Sequence, residues 1–291
     1  MGRKHGVTSF ALKVAAIAGM TCNHVANVFA AQLPGWLTAT LCSFGGLTFP
    51  IMAFLLCEGY RHTSNIRRYA GRLAVFAGVS QVPYSLLWGA TANVLVTLLI
   101  GLGLLWLNEH ARNRGVFALA VVAGVGLSWF CDWGGIGPIM ILLFWTCRKR
   151  LRGAALAMLV PLLAFGLPAL QWATEEASAA GLLGNAAQSH AWEQQLLGAG
   201  GDSGSDIALF DVESPEQVLS AAQLTRTMND ASGLAASLGI LGYSTIGFGL
   251  ATLLMLTYRG RRGRPLKWLF YVYYPAHLMV LWGVAAALGL A

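Results

Sequence analysis

Long apolar runs almost free of charge, set between clusters of basic residues, constrain this chain more than any other feature of its sequence. Runs near 20 residues match the length at which a helix crosses hydrocarbon, about twice what a membrane strand needs. A helix also pairs its own backbone N–H and C=O groups, as a lipid interior requires. The basic clusters are Arg3 and Lys4; Arg61, Arg67, Arg68 and Arg72; Arg112 and Arg114; Arg148 to Arg152; and Arg259 to Lys267. By the positive-inside rule each marks a cytoplasmic loop. Composition agrees, with 56% of residues apolar and 11% charged, whereas soluble domains carry roughly 25% charged residues.

Spans of about 17 to 25 residues fit near 9–31, 37–58, 72–89, 94–110, 115–132, 135–147, 153–173, 236–257 and 267–290. The expected fold class is therefore all-α, a polytopic integral membrane protein of about nine helices with a cytoplasmic N-terminus. It forms a single transmembrane domain, 1–291, interrupted by a long loop at 174–235 between the seventh and eighth helices. Of 12 acidic residues, all but Glu58, Glu109 and Asp132 lie in that loop, whose one Lys or Arg is Arg226. An odd number of spans places the loop outside. Merging the short sixth run with the fifth would put it inside, against the charges.

The first run is expected to remain a span and not a cleaved signal peptide, because Asn23, His24 and Asn27 interrupt its apolar stretch. The five cysteines (Cys22, Cys42, Cys57, Cys131, Cys147) show no paired spacing, so neither a disulfide nor a zinc site is expected. Within the external loop, Ser214-Pro215-Glu216-Gln217 reads as a capping box that starts a helix towards Asp230. Gly198 to Gly204 reads as a flexible linker. No transporter-type internal repeat is evident.

Chemistry is expected where polar side chains enter the spans, since an ionisable residue at bilayer depth is a functional hypothesis by default. His24 and His277 are two such residues. Lys13, Met20 and His24 fall on one face of the first helix at ~100° per residue, with Asn23 and Asn27 beside them. Lys13 can snorkel to the cytoplasmic surface; His24, ~16 Å further along, cannot. A histidine here also serves as a purely structural hydrogen-bonding group. Pro50 and Pro83 are expected to kink the second and third helices, Pro83 beside Ser80, Gln81 and Tyr84. Between those helices, Arg61, Arg67, Arg68 and Arg72 offer guanidiniums close to a helix start for which Asn65 is the candidate N-cap. That setting suits phosphate groups and equally suits attraction to anionic lipid headgroups. Asn93, Thr97 and Asp132 approach the outer face, and Tyr271, Tyr273, Tyr274, Pro275 and His277 fall within the last span.

These residues resemble the TraX family, membrane proteins named for N-terminal acetylation of conjugative pilin. The likeness rests on Leu12-Lys13-x6-Met20-x2-Asn23-His24, on Phe49-Pro50-Ile-Met-Ala-Phe-Leu-Leu-Cys-Glu58-Gly-Tyr-Arg61-His62-Thr, on Arg72-Leu-x2-Phe76-x3-Ser80-Gln81-x-Pro83-Tyr84, on Asn93-Val-Leu-Val-Thr97-Leu and on Tyr274-Pro275-x-His277-Leu. It extends over nearly the whole chain except the acidic loop. The resemblance implies an acetyltransferase in the inner (cytoplasmic) membrane that moves an acetyl group from acetyl-CoA to an amine or hydroxyl of an exported acceptor such as a pilin. Arg61, Arg67, Arg68 and Arg72 would then hold the phosphates of CoA. His24 would act as general base, with His277 as the second candidate base or an acetyl carrier. Asn23, Gln81, Tyr84, Asn93, Asp132 and Tyr274 would contact the substrate or oxyanion.

One departure from the family pattern is Asn23, where an aspartate usually precedes the histidine. Asparagine offers imidazole only a neutral hydrogen bond, so any Asp-His pairing would have to be replaced here by another residue. No metal is expected; besides acyl-CoA and the acceptor, the partners are membrane lipids, and no nucleic acid is expected. Two other classes fit the same residues. A proton-coupled transporter of small solutes would use His24, Asp132 and His277 as a path and form no covalent product. A non-catalytic assembly component would depend on the acidic loop for docking and would be disabled by its deletion.

Overall fold

Every regular element in the computed structural model, which describes residues 6–147, 150–179, 233–264 and 267–290, is helical. In chain order these are α1 (Ser9–Val28), α2 (Gly35–Gly45), α3 (Thr48–His62), α4 (Ile66–Trp88), α5 (Val94–His110), α6 (Arg114–Ser128) and α7 (Ile136–Thr146). They continue as α8 (Arg150–Pro161), α9 (Leu167–Ala179), α10 (Gly233–Gly242), α11 (Phe248–Thr257) and α12 (Lys267–Ala287). A π-helical segment joins α8 to α9 at Leu162–Gly166, and another joins α10 to α11 at Tyr243–Gly247. Four described stretches are long and apolar enough to cross a membrane: Gly35–His62, Arg152–Glu175, Ala236–Thr257 and Phe270–Ala287. The capping box at 214–217 and the glycine linker lie outside the described residues.

Side-chain oxygens set several helix starts. Thr8 Oγ1 accepts the Ala11 N–H, and Asn65, Asn93 and Asn113 accept those of Arg68, Leu95 and Val116. Each satisfies one of the four N–H groups a helix start leaves unpaired. Because Asn65 caps α4, that helix begins six residues before the expected 72, and Arg67, Arg68 and Arg72 sit in its first two turns. The fifth and sixth runs are separate helices, joined by a turn that bonds back to the start of α5 through Ala92 N–H to Phe130 O and Asp132 N–H to Ala92 O.

Polarity sorts the faces. On α4, Leu73, Ala77, Ser80, Tyr84 and Leu87 point inward, while Val75, Val79, Val82 and Leu86 form an exposed apolar stripe. On α6, Leu119, Val122 and Leu127 are exposed in the same way. In water such surface is a liability; against lipid tails it is the expected outer face of a bundle.

The break in the second span lies at Gly46 and Leu47, ahead of Pro50 and not at it. Pro50 occupies the first turn of α3, where its missing N–H leaves no hydrogen bond unmade. At the break the Tyr243–Gly247 π segment approaches closely: a Cβ on Gly46 would stand 2.0 Å from the Tyr243 carbonyl oxygen. Gly247 in turn lies against Ser43 O and Gly46. Pro161 begins the other π segment, where its absent N–H prevents the regular ladder from continuing. Gly46→Ala is therefore expected to destabilise the protein by about 1–3 kcal/mol, read as a lowered midpoint of thermal unfolding in detergent.

Candidate functional site

The face of α1 carrying Lys13, Met20 and His24 turns into the bundle, and α12 brings His277 against it. His24 is 5% exposed and His277 7%. His24 Nδ1 lies 2.7 Å from His277 Nε2, with the rings coplanar to 2° and their centroids 5.0 Å apart. At that spacing the rings meet edge to edge, as an in-plane N–H to N hydrogen bond requires. A neighbouring hydroxyl pair, Thr21 Oγ1 and Tyr273 Oη at 2.7 Å, ties the same helices together.

The tautomers follow from the next contact. His277 Nδ1 is 2.9 Å from the Tyr273 carbonyl oxygen, which can only accept, so this nitrogen carries the proton. In the neutral ring His277 Nε2 is then an acceptor, and the proton between the rings belongs to His24 Nδ1. His24 Nε2 is left with a free lone pair. The arrangement supplies a base (His24) and a group that orients it (His277), with the Trp88 ring 4.8 Å from His24 as a wall.

His24 faces a small chamber of about 80 Å³ that His277 does not line. Asn23, Asn27, Asp132, Tyr243 and Tyr274 contribute to its polar surface, and small residues from α2 and α10 such as Ala39, Gly45 and Gly239 also line it. Asp132 is held there by a tight turn in which Trp133 adopts φ +72°, a conformation that costs a non-glycine residue roughly 1–3 kcal/mol. Trp133 stacks on Phe49 with centroids 4.2 Å apart, and Thr97 Oγ1 donates to the Asp132 carbonyl. Tyr243 comes from the π segment after α10, a place where widened helix often redirects a side chain into a site.

A second cavity, of about 610 Å³, is lined by Lys13, Arg72, Arg262 and Arg264 together with Glu58 and His62, so that cations outnumber the single carboxylate. Buried Arg72 Nε has no hydrogen-bond partner among the described residues. Of the four arginines singled out in the sequence, Arg72 alone lines this cavity. Arg61 pairs with Glu58 at 2.8 Å and lies over the Trp145 ring, and Arg67 and Arg68 are exposed. Arg262 and Arg264, which sequence reasoning treated only as topology markers, arrive on a strap bonded to the start of α1: Ser9 N–H to Arg261 O at 2.9 Å and Phe10 N–H to Arg262 O at 3.1 Å.

Three other expected site residues line neither cavity. Gln81 Nε2 donates to Ser85 Oγ and Thr91 O, while its Oε1 accepts both the backbone and side-chain N–H of Asn93. Asn93, fully buried, also donates to Ala77 O and caps α5. This network staples α4 to α5 and occupies the donors that an oxyanion would need. Tyr84 is fully buried beside Trp88. Asn93→Ala is expected to lower stability by about 1–3 kcal/mol, since it strands buried partners, with unfolding in detergent as the measurement.

Fold and site together define a helical membrane protein with two cavities set end to end and a histidine pair between its first and last helices. The sequence profile described as "TraX protein" matches residues 9–191, more than half of the chain. The chain belongs to the TraX family. It is 31% identical over 156 residues to the "Probable fimbrial assembly protein FimC, serogroup H1" of Dichelobacter nodosus. That match spans 49% of this chain and 63% of the relative. No solved structure matches.

Proposed function

We propose that the protein is an acetyltransferase of the inner membrane that modifies an exported subunit, such as a pilin, during pilus or fimbrial assembly. The observation that carries this reading is that His24 lines a chamber while its Nδ1 is held by His277. The printed name of the fimbrial relative supports the setting, and the basic cavity supports the donor. Arg72, Lys13, Arg262 and Arg264 hold the phosphates of CoA from the cytoplasmic side, guanidinium forks and an ammonium matching phosphate oxygens.

The acceptor nitrogen attacks the thioester carbonyl as His24 Nε2 takes its proton. His277 Nε2 stabilises the resulting imidazolium by accepting its Nδ1–H, the role a carboxylate fills in other triads. Asn23 and Tyr274 are among the chamber groups able to donate to the tetrahedral oxyanion. When that intermediate collapses the C–S bond breaks, and His24 returns the proton to the CoA sulfur. Asp132, a chamber carboxylate, suits an acceptor that arrives as an ammonium and takes the proton that this group must shed before its nitrogen can attack.

With labelled acetyl-CoA, a pilin N-terminal peptide as acceptor and purified protein, His24→Ala is expected to lower CoA release by about 10²–10⁴-fold, and His277→Ala to lower it less. Equal release by all three proteins would remove the histidines from the mechanism. Arg72→Gln should weaken CoA binding, measured by calorimetry, whereas Arg67→Gln with Arg68→Gln should not. Loss of binding in the second variant would relocate the phosphate site to the start of α4.

A further inference from the structure

The chamber and the basic cavity share three lining residues: Met20 of α1, Met52 of α3 and Tyr274 of α12. Every other wall belongs to one cavity or the other, so these side chains form a septum between them. The septum stands close to the histidine pair. The Tyr274 ring centroid is 6.4 Å from that of His24 and 5.6 Å from that of His277, and Met20 precedes His24 by one helical turn.

We infer that Met20, Met52 and Tyr274 set the length of acyl chain the protein accepts, an inference that rests on the acyltransferase reading. A thioester held by its phosphates in the basic cavity meets His24 only where the septum lies, and the acyl group must go beyond it. Past the septum is a space of about 80 Å³, room for a handful of water-sized groups, which the acceptor's reacting end must share. An acetyl group fits this space; each added methylene competes with the acceptor or with the septum. The two thioethers are unbranched and bend easily, so they yield to a narrow arm and close behind it. Tyr274, whose ring also faces the histidines, is the rigid side of the opening. An added methylene changes discrimination by about 10-fold or more in a pocket of fixed size.

The test uses unreactive S-alkyl thioethers of CoA bearing ethyl, butyl and hexyl groups, which need no acceptor, titrated into the full-length protein in detergent. Wild type is expected to bind the ethyl compound at least 10-fold more tightly than the hexyl compound. Met20→Ala and Met52→Ala should bring the hexyl affinity to within about threefold of the ethyl. Met52→Leu, which keeps the bulk, should retain the wild-type ranking and shows that the effect is not one of lost folding. Equal binding of all three thioethers by wild type, or an unchanged ranking in both alanine variants, overturns the septum as the selector and leaves the acyltransferase reading standing. Failure of wild type to bind any CoA thioether overturns both.

Discussion

The hydrogen bond between His24 and His277 is the interaction on which the arrangement of this bundle depends. It joins residues 253 positions apart and so ties the first helix to the last. In an apolar interior each imidazole needs a partner for its polar edges, and these two provide one for each other while the Tyr273 carbonyl fixes the direction of the chain of donors. Interhelical hydrogen bonds of this kind contribute about 0.6–2 kcal/mol in membranes. Their larger effect is on the tautomer, because the pairing leaves Nε2 as the unprotonated nitrogen of His24.

Around that bond the fold is organised by close approaches that small residues permit. Gly46 lets the Tyr243–Gly247 π segment reach the break between α2 and α3, and the same segment supplies Tyr243 to the chamber. The turn at Cys131 to Gly134 holds Asp132 in place by stacking Trp133 on Phe49, at a cost in backbone strain. At the other end, backbone hydrogen bonds from Ser9 and Phe10 seat the 258–264 strap, so two of the cavity's cations are positioned by main chain. The result is a basic cavity adjoining a polar chamber, with His24 on the chamber wall one helical turn beyond the shared Met20.

Much of this was legible in the sequence, and the remainder failed for identifiable reasons. Apolar runs and basic clusters announce a helical membrane protein, and the 11-residue spacing of Lys13 and His24 announces one polar face on α1 that turns out to line the cavities. Asn65 was readable as a cap. Polarity inside a span does not distinguish a staple from a site, which is why Gln81 and Asn93 looked like oxyanion donors until their hydrogen bonds to each other and to α4 were seen. Arg262 and Arg264 were read as topology markers because nothing local to them reveals that Ser9 and Phe10 bind their strap. The sequence places a kink at Pro50, whereas the break falls at Gly46, which lies against the carbonyl of Tyr243, about 200 residues downstream. The partner of His24 could not be chosen from sequence for the same reason: with Asn23 beside it the sequence asks for another residue without naming it, and the structure places His277 there.

Vectorial transfer tests the arrangement of two cavities around His24 most directly. Protein reconstituted in vesicles would be given labelled acetyl-CoA on the side of the basic loops and a pilin N-terminal peptide on the other side. Donor and acceptor meeting at His24 predicts labelled peptide in the compartment that never held acetyl-CoA, with none formed by His24→Ala. Label that appears only when peptide and acetyl-CoA share a compartment, or that appears undiminished in the His24→Ala protein, would contradict it.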